Sequence, residues 1–173
     1  MESDSALIRL RMDSDCYTAL KQMPLNSELE LVIGSRFEDL ELVDLVMDFA
    51  CGYLAMAEPE RAYVSLAVRE ATANAVGHGH QMDASKRVTI SIRLDDELLT
   101  VTVRDSGGGF DVSALPNPLD PSNLLKSAGR GIFLMRQFMD QVSFRFPSAG
   151  GTVVEMSHRV THGSVTPPGQ SAH

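Results

Sequence analysis

The sequence predicts an α+β fold: a two-layer sandwich of a mixed, mostly antiparallel sheet with helices on one face. Residues 87–94 and 98–104 alternate apolar and polar side chains on either side of a short acidic turn, which is typical of a β-hairpin. Residues 35–56 and 59–78 instead carry apolar residues at helical spacing. Because the strands come in hairpins rather than in regular alternation with helices, a mostly antiparallel sheet is expected.

The flanking segments show the same two periodicities. They predict three further strands and one further helix. In chain order these are a strand at residues 27–33, a helix at 131–139, and two strands at 141–146 and 152–158 that form a closing hairpin. Residues 6–12 also alternate and predict an edge strand.

The domain boundaries follow from these elements. One domain is expected over residues 26–160, preceded by an N-terminal extension, residues 1–25, to which the sequence assigns no role. Residues 111–128 form a loop rich in Pro and Asn that is long enough to predict an active-site lid. Residues 161–173 are rich in Pro, Gly and Ser and predict a disordered tail.

Composition excludes several classes of protein. A net charge of -8 argues against binding to a nucleic-acid backbone. No apolar run reaches the roughly 18 residues of a membrane span, and the N-terminus lacks the apolar region of a signal peptide. The two cysteines, Cys16 and Cys51, lie in no metal-binding or redox motif, so we expect reduced thiols in a cytoplasmic protein that binds neither membranes nor nucleic acid directly.

The first motif, EATAN, places Glu70 and Asn74 one helical turn apart on the same face. The amide oxygen of an asparagine is a hard ligand that suits Mg²⁺. A carboxylate one turn away can orient or deprotonate a nucleophile. A solvated polar face would explain the same pair if it stood alone.

The second motif, DSGGG, places Asp105 at a strand end before Gly107, Gly108 and Gly109. A buried carboxylate here could accept a hydrogen bond from an amino group, and the glycines allow a sharp turn and a close approach to a ligand. An ordinary Asp-Gly turn is the simpler alternative. The pattern matches neither the Walker P-loop nor the Rossmann fingerprint.

The third motif, GRG, places Gly129, Arg130 and Gly131 at the start of a helix. The free amides of a helix N-terminus bind anions, and glycine lets a phosphate come close. Arg130 could add positive charge or could simply be a solvated loop residue. His78 and His80 have no further ligands at metal-binding spacing, so a packing or capping role is expected for them.

In this order, EATAN, DSGGGFD, GRGIFLM and GGT resemble the GHKL superfamily, which includes gyrase-type ATPases, histidine kinases and anti-sigma serine kinases. The stretch LPNPLDPSNLLKSAGRGIFLMRQFMDQVSF resembles especially the small bacterial anti-sigma factor serine/threonine kinases. The resemblance covers residues 28–159. It implies a Bergerat-type ATP-binding fold that uses ATP and Mg²⁺.

The resemblance also implies roles for individual residues. Glu70 would be the catalytic base and Asn74 the Mg²⁺ ligand, with Gly129 and Gly131 lining the phosphates on either side of Arg130.

At the other end of the nucleotide, Asp105 would hold adenine. Gly107 and Gly109 would lie beside it, and Thr152 would lie near the adenine.

The function implied is that of an anti-sigma regulatory kinase. Such a protein phosphorylates a serine or threonine of a small anti-sigma-antagonist protein, sequesters a sigma factor by partner switching, and often forms a homodimer. A non-catalytic module that sequesters a protein partner in an ATP-dependent way is the alternative, although Glu70 favours the kinase because sequestration needs no base. A histidine kinase fits less well, since all five histidines lie at residue 78 or later, with none on a helix before the motifs.

Overall fold

The computed structural model describes residues 7–10, 27–108 and 130–161 of the chain. The strands in these ranges are β1 (Leu7–Leu10), β2 (Glu28–Ile33), β3 (Val88–Leu94), β4 (Leu98–Arg104), β5 (Gln141–Arg145) and β6 (Val153–Arg159). The α-helices are α1 (Leu40–Tyr53), α2 (Glu60–Asn74) and α3 (Arg130–Phe138). A 3₁₀ turn (Phe37–Asp39) precedes α1, and a π-helical turn (Ala75–Gly79) follows α2. The predicted lid, Gly109, Gly129 and nearly all of the predicted extension and tail lie outside the described residues.

The described strands form one sheet in the order β1-β2-β3-β4-β6-β5. β1 runs parallel to β2 at the edge of the sheet, where the alternation of residues 6–12 predicts a strand. Every other neighbouring pair is antiparallel. The sheet is therefore mixed and mostly antiparallel, as predicted.

The hydrophobic core joins one face of the sheet to the helices. Alternate residues of the central strands are buried, as the two-residue period of a strand requires: Leu29, Leu31, Ile33, Val88, Ile90, Ile92, Leu94, Leu99, Val101 and Val103. Buried helical residues recur at spacings of three and four: Val43, Val46, Met47, Ala50, Val64, Ala67, Val68, Ala71, Ile132 and Met135. The intervening strand residues are partly or fully exposed, so helices and sheet form two layers. No helix in the described ranges combines the length and the apolar character that crossing a membrane requires.

The end of α2 differs from the prediction of one α-helix over residues 59–78. The α-helix ends at Asn74, and the chain continues as the π-helical turn, in which the backbone N–H of His80 donates to the carbonyl of Ala75 at 2.8 Å. A π-helical turn adds one residue to the usual hydrogen-bonded ring and is frequent at functional sites. Here it places Gly79 against Asp105.

Glu60 joins the start of α2 to the end of β6. Its carboxylate accepts hydrogen bonds from His158 Nε2 at 2.8 Å, from the backbone N–H of Thr161 at 3.1 Å and from the Thr161 hydroxyl. Burial alone would raise the pKa of Glu60, but these hydrogen bonds outweigh it and hold the pKa below its ordinary value of 4.5. The ionised form is therefore stabilised in the folded protein.

Glu60→Gln is expected to lower the free energy of unfolding by about 1–2 kcal/mol at neutral pH, because hydrogen bonds to a charged group are lost. A depressed carboxylate pKa contributes stability above the unfolded pKa, and this stability is lost as pH falls through the folded pKa. The deficit of the variant should therefore shrink below about pH 4.5. Urea unfolding at a series of pH values above and below the Glu60 pKa measures this difference in the free energy of unfolding. The control is Glu97→Gln, because Glu97 is an exposed carboxylate in the β3–β4 hairpin. A deficit that does not change with pH would contradict the assignment.

Candidate functional site

The first motif and the third motif meet where α2 packs against α3. A Cβ atom at Gly131 would lie 2.7 Å from Glu70 Oε2 and 3.3 Å from Asn74 Nδ2. Any side chain at this position would therefore displace the Glu70 carboxylate. Glycine lets the first turn of α3 approach these two polar groups directly, so residues distant in sequence share one end of the site.

Asp105 lies at the end of β4 and is 8% exposed. Its Oδ1 accepts hydrogen bonds from the backbone N–H of Gly107 at 2.7 Å and of Thr152 at 3.2 Å. Its own backbone N–H donates to the carbonyl of Thr152 at 3.0 Å. Neither side-chain bond uses Oδ2, so the carboxylate is held rigidly through one oxygen atom.

Three glycines enclose Asp105, and two of them, Gly79 and Gly151, were not predicted as site residues. A Cβ at Gly79 would lie 2.7 Å from the Asp105 carboxyl carbon. A Cβ at Gly107 would overlap the carbonyl oxygen of Gly79, and one at Gly151 would overlap that of Asp105. Gly151 also has a φ of 89°, which disfavours other residues. The GGT motif is the sequence signal for Gly151, whereas Gly79 stands in a short HGH sequence without a family pattern.

Thr152 is 1% exposed, and its hydroxyl oxygen Oγ1 has no hydrogen-bond partner among the described residues. Buried hydroxyl groups are normally paired with protein, water or ligand. Its position beside Asp105 fits a ligand with polar edge atoms, such as a purine base.

A single segment of chain connects the two ends of the site. Glu70 and Asn74 lie on the last turns of α2, and the π-helical turn then carries the chain to Gly79, which contacts Asp105. Arg130 is exposed at the start of α3. Among the described residues, the predicted site residues thus form two groups, one around Glu70, Asn74 and Gly131 and the other around Asp105, Gly107 and Thr152.

The two predicted packing histidines differ. His80 is 1% exposed, and its Nδ1 lies 2.5 Å from the hydroxyl oxygen of Ser35. The prediction of a packing role is confirmed for His80. His78 is exposed, on the outer side of the π-helical turn.

Comparison with known proteins identifies the family of the chain. Residues 38–158 match the family described as the histidine kinase-like ATPase domain. The chain belongs to this family. Its relatives in the family include the anti-sigma F factor of Bacillus subtilis, 30% identical over 114 residues, which are 63% of this chain and 78% of that protein. The anti-sigma F factor of Geobacillus kaustophilus is 28% identical over 138 residues, 79% of this chain and 94% of that protein. The predicted resemblance to the anti-sigma factor kinases of the GHKL superfamily is confirmed.

A solved structure shares the fold of this histidine kinase-like ATPase domain. It contains the RsbU and RsbW domains of a protein from Mycobacterium tuberculosis, and the similarity has a TM-score of 0.56 at 16% identity over 77% of this chain. The chain spans 32% of the length of that protein chain. At this identity the similarity shows the fold alone, which is the fold predicted from the motifs.

Proposed function

We propose that this protein is a cytoplasmic anti-sigma regulatory kinase that binds ATP and Mg²⁺ and phosphorylates a serine or threonine of a small antagonist protein. In the same cycle it sequesters a sigma factor, as the names of its anti-sigma F factor relatives suggest. A homodimer is part of the proposal.

The observation that carries the proposal is the convergence of Glu70, Asn74 and Gly131 at one end of the site. A base, a ligand for a divalent cation and the amides of a helix N-terminus are the groups that phosphoryl transfer requires. The Asp105 carboxylate suits adenine at the other end, as does the Thr152 hydroxyl, for which the described residues supply no hydrogen-bond partner.

The chemistry assigned to this chain is mostly positioning. The hydroxyl oxygen of the substrate forms a bond to the γ-phosphorus of ATP, while the bond from that phosphorus to the bridging oxygen breaks and ADP leaves. Glu70 accepts the hydroxyl proton, and the amides at the start of α3 contact the phosphates. Bound Mg²⁺ would neutralise phosphate charge and would take the Asn74 oxygen as a ligand.

The experiment that tests the function is capture of partners from the source cell on the purified protein, with and without ATP. Transfer of radiolabelled phosphate to a captured protein, with the label mapped to a serine or threonine, would support the kinase. ATP-dependent capture of a partner without any transfer would instead favour the non-catalytic sequestering module. Failure to bind ATP would contradict both.

Asn74→Ala is expected to remove the part of the ATP affinity that depends on Mg²⁺, a loss of about tenfold or about 1.4 kcal/mol. The reason is that alanine offers the cation no oxygen, whereas the contacts to adenine are unchanged. Calorimetric titration of ATP with Mg²⁺ and with a chelator separates the two contributions. Asn74→Asp keeps an oxygen ligand and should retain the effect of Mg²⁺. Equal responses to Mg²⁺ in wild type and in Asn74→Ala would remove Asn74 from the metal site.

A further inference from the structure

A chain of hydrogen bonds crosses the buried imidazole of His80. The backbone N–H of Ser106 donates to Nε2 at 2.8 Å, and the Ser106 hydroxyl oxygen lies 3.1 Å from the same nitrogen. On the other side of the ring, Nδ1 lies 2.5 Å from the Ser35 hydroxyl oxygen. That hydroxyl donates in turn to the backbone carbonyl of Lys86 at 3.2 Å. Three distant segments of the chain therefore meet at one side chain.

The direction of each bond follows from the chemistry of its partners. A backbone N–H can only donate, so Nε2 of His80 must be an acceptor and must carry no proton. In a neutral imidazole the proton then lies on Nδ1, which donates to Ser35 Oγ. Since Ser35 uses its own proton on the Lys86 carbonyl, every group in the chain has a partner. The network is complete only when His80 is neutral.

The network ends at the residue that follows Asp105. Ser106 lies between Asp105 and Gly107, whose N–H donates to the Asp105 carboxylate. Gly79, the residue before His80, packs against the same carboxylate. His80 and its neighbour thus support the turn of residues 105–107 through its backbone and through the carboxyl group.

We propose that His80 is a positioning residue for nucleotide binding: its neutral form holds the turn of residues 105–107, and its protonation releases the turn and weakens ATP. This inference rests on the proposed function, because it takes Asp105 as the adenine contact. Protonation places a hydrogen on Nε2, facing the N–H of Ser106 at 2.8 Å. Two donors then oppose each other, so the bond from the Ser106 N–H is lost. The Ser106 hydroxyl oxygen, 3.1 Å away, is the acceptor that remains for the new proton, and this exchange of partners shifts the turn.

The surroundings of His80 favour the neutral form. Burial lowers the pKa of His80 below its ordinary value of 6.5; the negative charge of Asp105 acts against this, Lys86 lowers the pKa further and Asp83 raises it. Because ATP binds preferentially to the protein with neutral His80, the ATP affinity has its full value above the His80 pKa. It is lost as pH falls through that pKa. Below that pKa the affinity should fall by about tenfold for each pH unit.

The test is titration of ATP with Mg²⁺ into the full chain between about pH 5 and about pH 8 by calorimetry. Wild type is compared with His80→Gln, His80→Phe and the control His78→Gln. A glutamine can accept from Ser106 through its oxygen and donate to Ser35 through its amide, yet it does not titrate. His80→Gln should therefore retain most of the affinity near pH 8 and lose the acid-side decline. His80→Phe should bind about 2- to 10-fold more weakly at every pH, the range expected when a part-buried hydrogen bond such as that from the Ser106 N–H is lost. His78→Gln removes an exposed histidine two residues away and should keep the wild-type profile.

Nitrogen NMR tests the same proposal without any substitution, because it shows which ring nitrogen of His80 carries the proton. The expected spectrum has the proton on Nδ1 and a bare Nε2 in the free protein at neutral pH. A proton on Nε2, or a decline at acid pH that persists unchanged in His80→Gln, would overturn the proposal. Absence of ATP binding by wild type near pH 8 would contradict the proposed function instead, so the two failures are distinguishable.

Discussion

Glu70→Gln is expected to slow phosphoryl transfer by about 10²- to 10⁴-fold, the usual contribution of a general base, while ATP and the protein partner still bind. Glutamine keeps the size and the polar tip of the side chain next to Gly131 but cannot accept the substrate proton. The loss should therefore appear in the rate of transfer rather than in nucleotide affinity. Single-turnover transfer of radiolabelled phosphate to the captured antagonist measures the rate, and calorimetry measures the affinity.

Glu41→Gln supplies the matched control for Glu70. Glu41 is an exposed carboxylate on α1, and its substitution should leave both the rate and the affinity unchanged. Transfer at the wild-type rate by Glu70→Gln would exclude Glu70 as the base.

Asp105→Asn is expected to weaken ATP by about 1–3 kcal/mol, the penalty for leaving a buried polar group without a suitable partner. Asparagine has one oxygen where aspartate has two. In wild type, Oδ1 accepts the N–H groups of Gly107 and Thr152, and under the proposed function Oδ2 faces the amino group of adenine. Whichever way the amide turns, its NH₂ group must face another donor. Calorimetric titration of the folded variant measures the loss.

Guanine nucleotides distinguish this explanation from a general disturbance of the fold. Guanine carries a carbonyl where adenine carries its amino group, so the asparagine NH₂ could donate to it. The variant should therefore lose ATP affinity while GTP affinity stays constant or rises. Equal losses for ATP and GTP would indicate damage to the turn, and unchanged ATP affinity would remove Asp105 from the adenine site.

Local periodicity explains why much of the fold was predictable. The spacing of apolar residues predicts strands β3 and β4 and the buried face of α2, because each of these elements needs one apolar face. The same local geometry places Glu70 and Asn74 one turn apart on α2. The end of α2 was not predicted, because the change to a π-helical turn depends on bonds such as that from His80 to Ala75.

The surroundings of Asp105 show the limit of such reasoning. Gly107 was predicted from its motif, but Gly79 and Gly151 emerged only when their contacts with Asp105 were seen. Their sequence separation is large, and no local rule specifies which backbone atoms a distant glycine will approach. His80 was predicted to pack, yet its bond to Ser106 could not be inferred from its position in the chain.

The sequence by itself determined the two-layer α+β fold and the order of its elements, and it nominated the candidate polar residues of the site, because periodicity and short motifs are local properties of the chain. Only the tertiary structure decided that Gly131 meets Glu70 and that the N–H of Ser106 donates to His80 Nε2. These features require contacts between segments that only the packing of helices against the sheet brings within hydrogen-bonding distance.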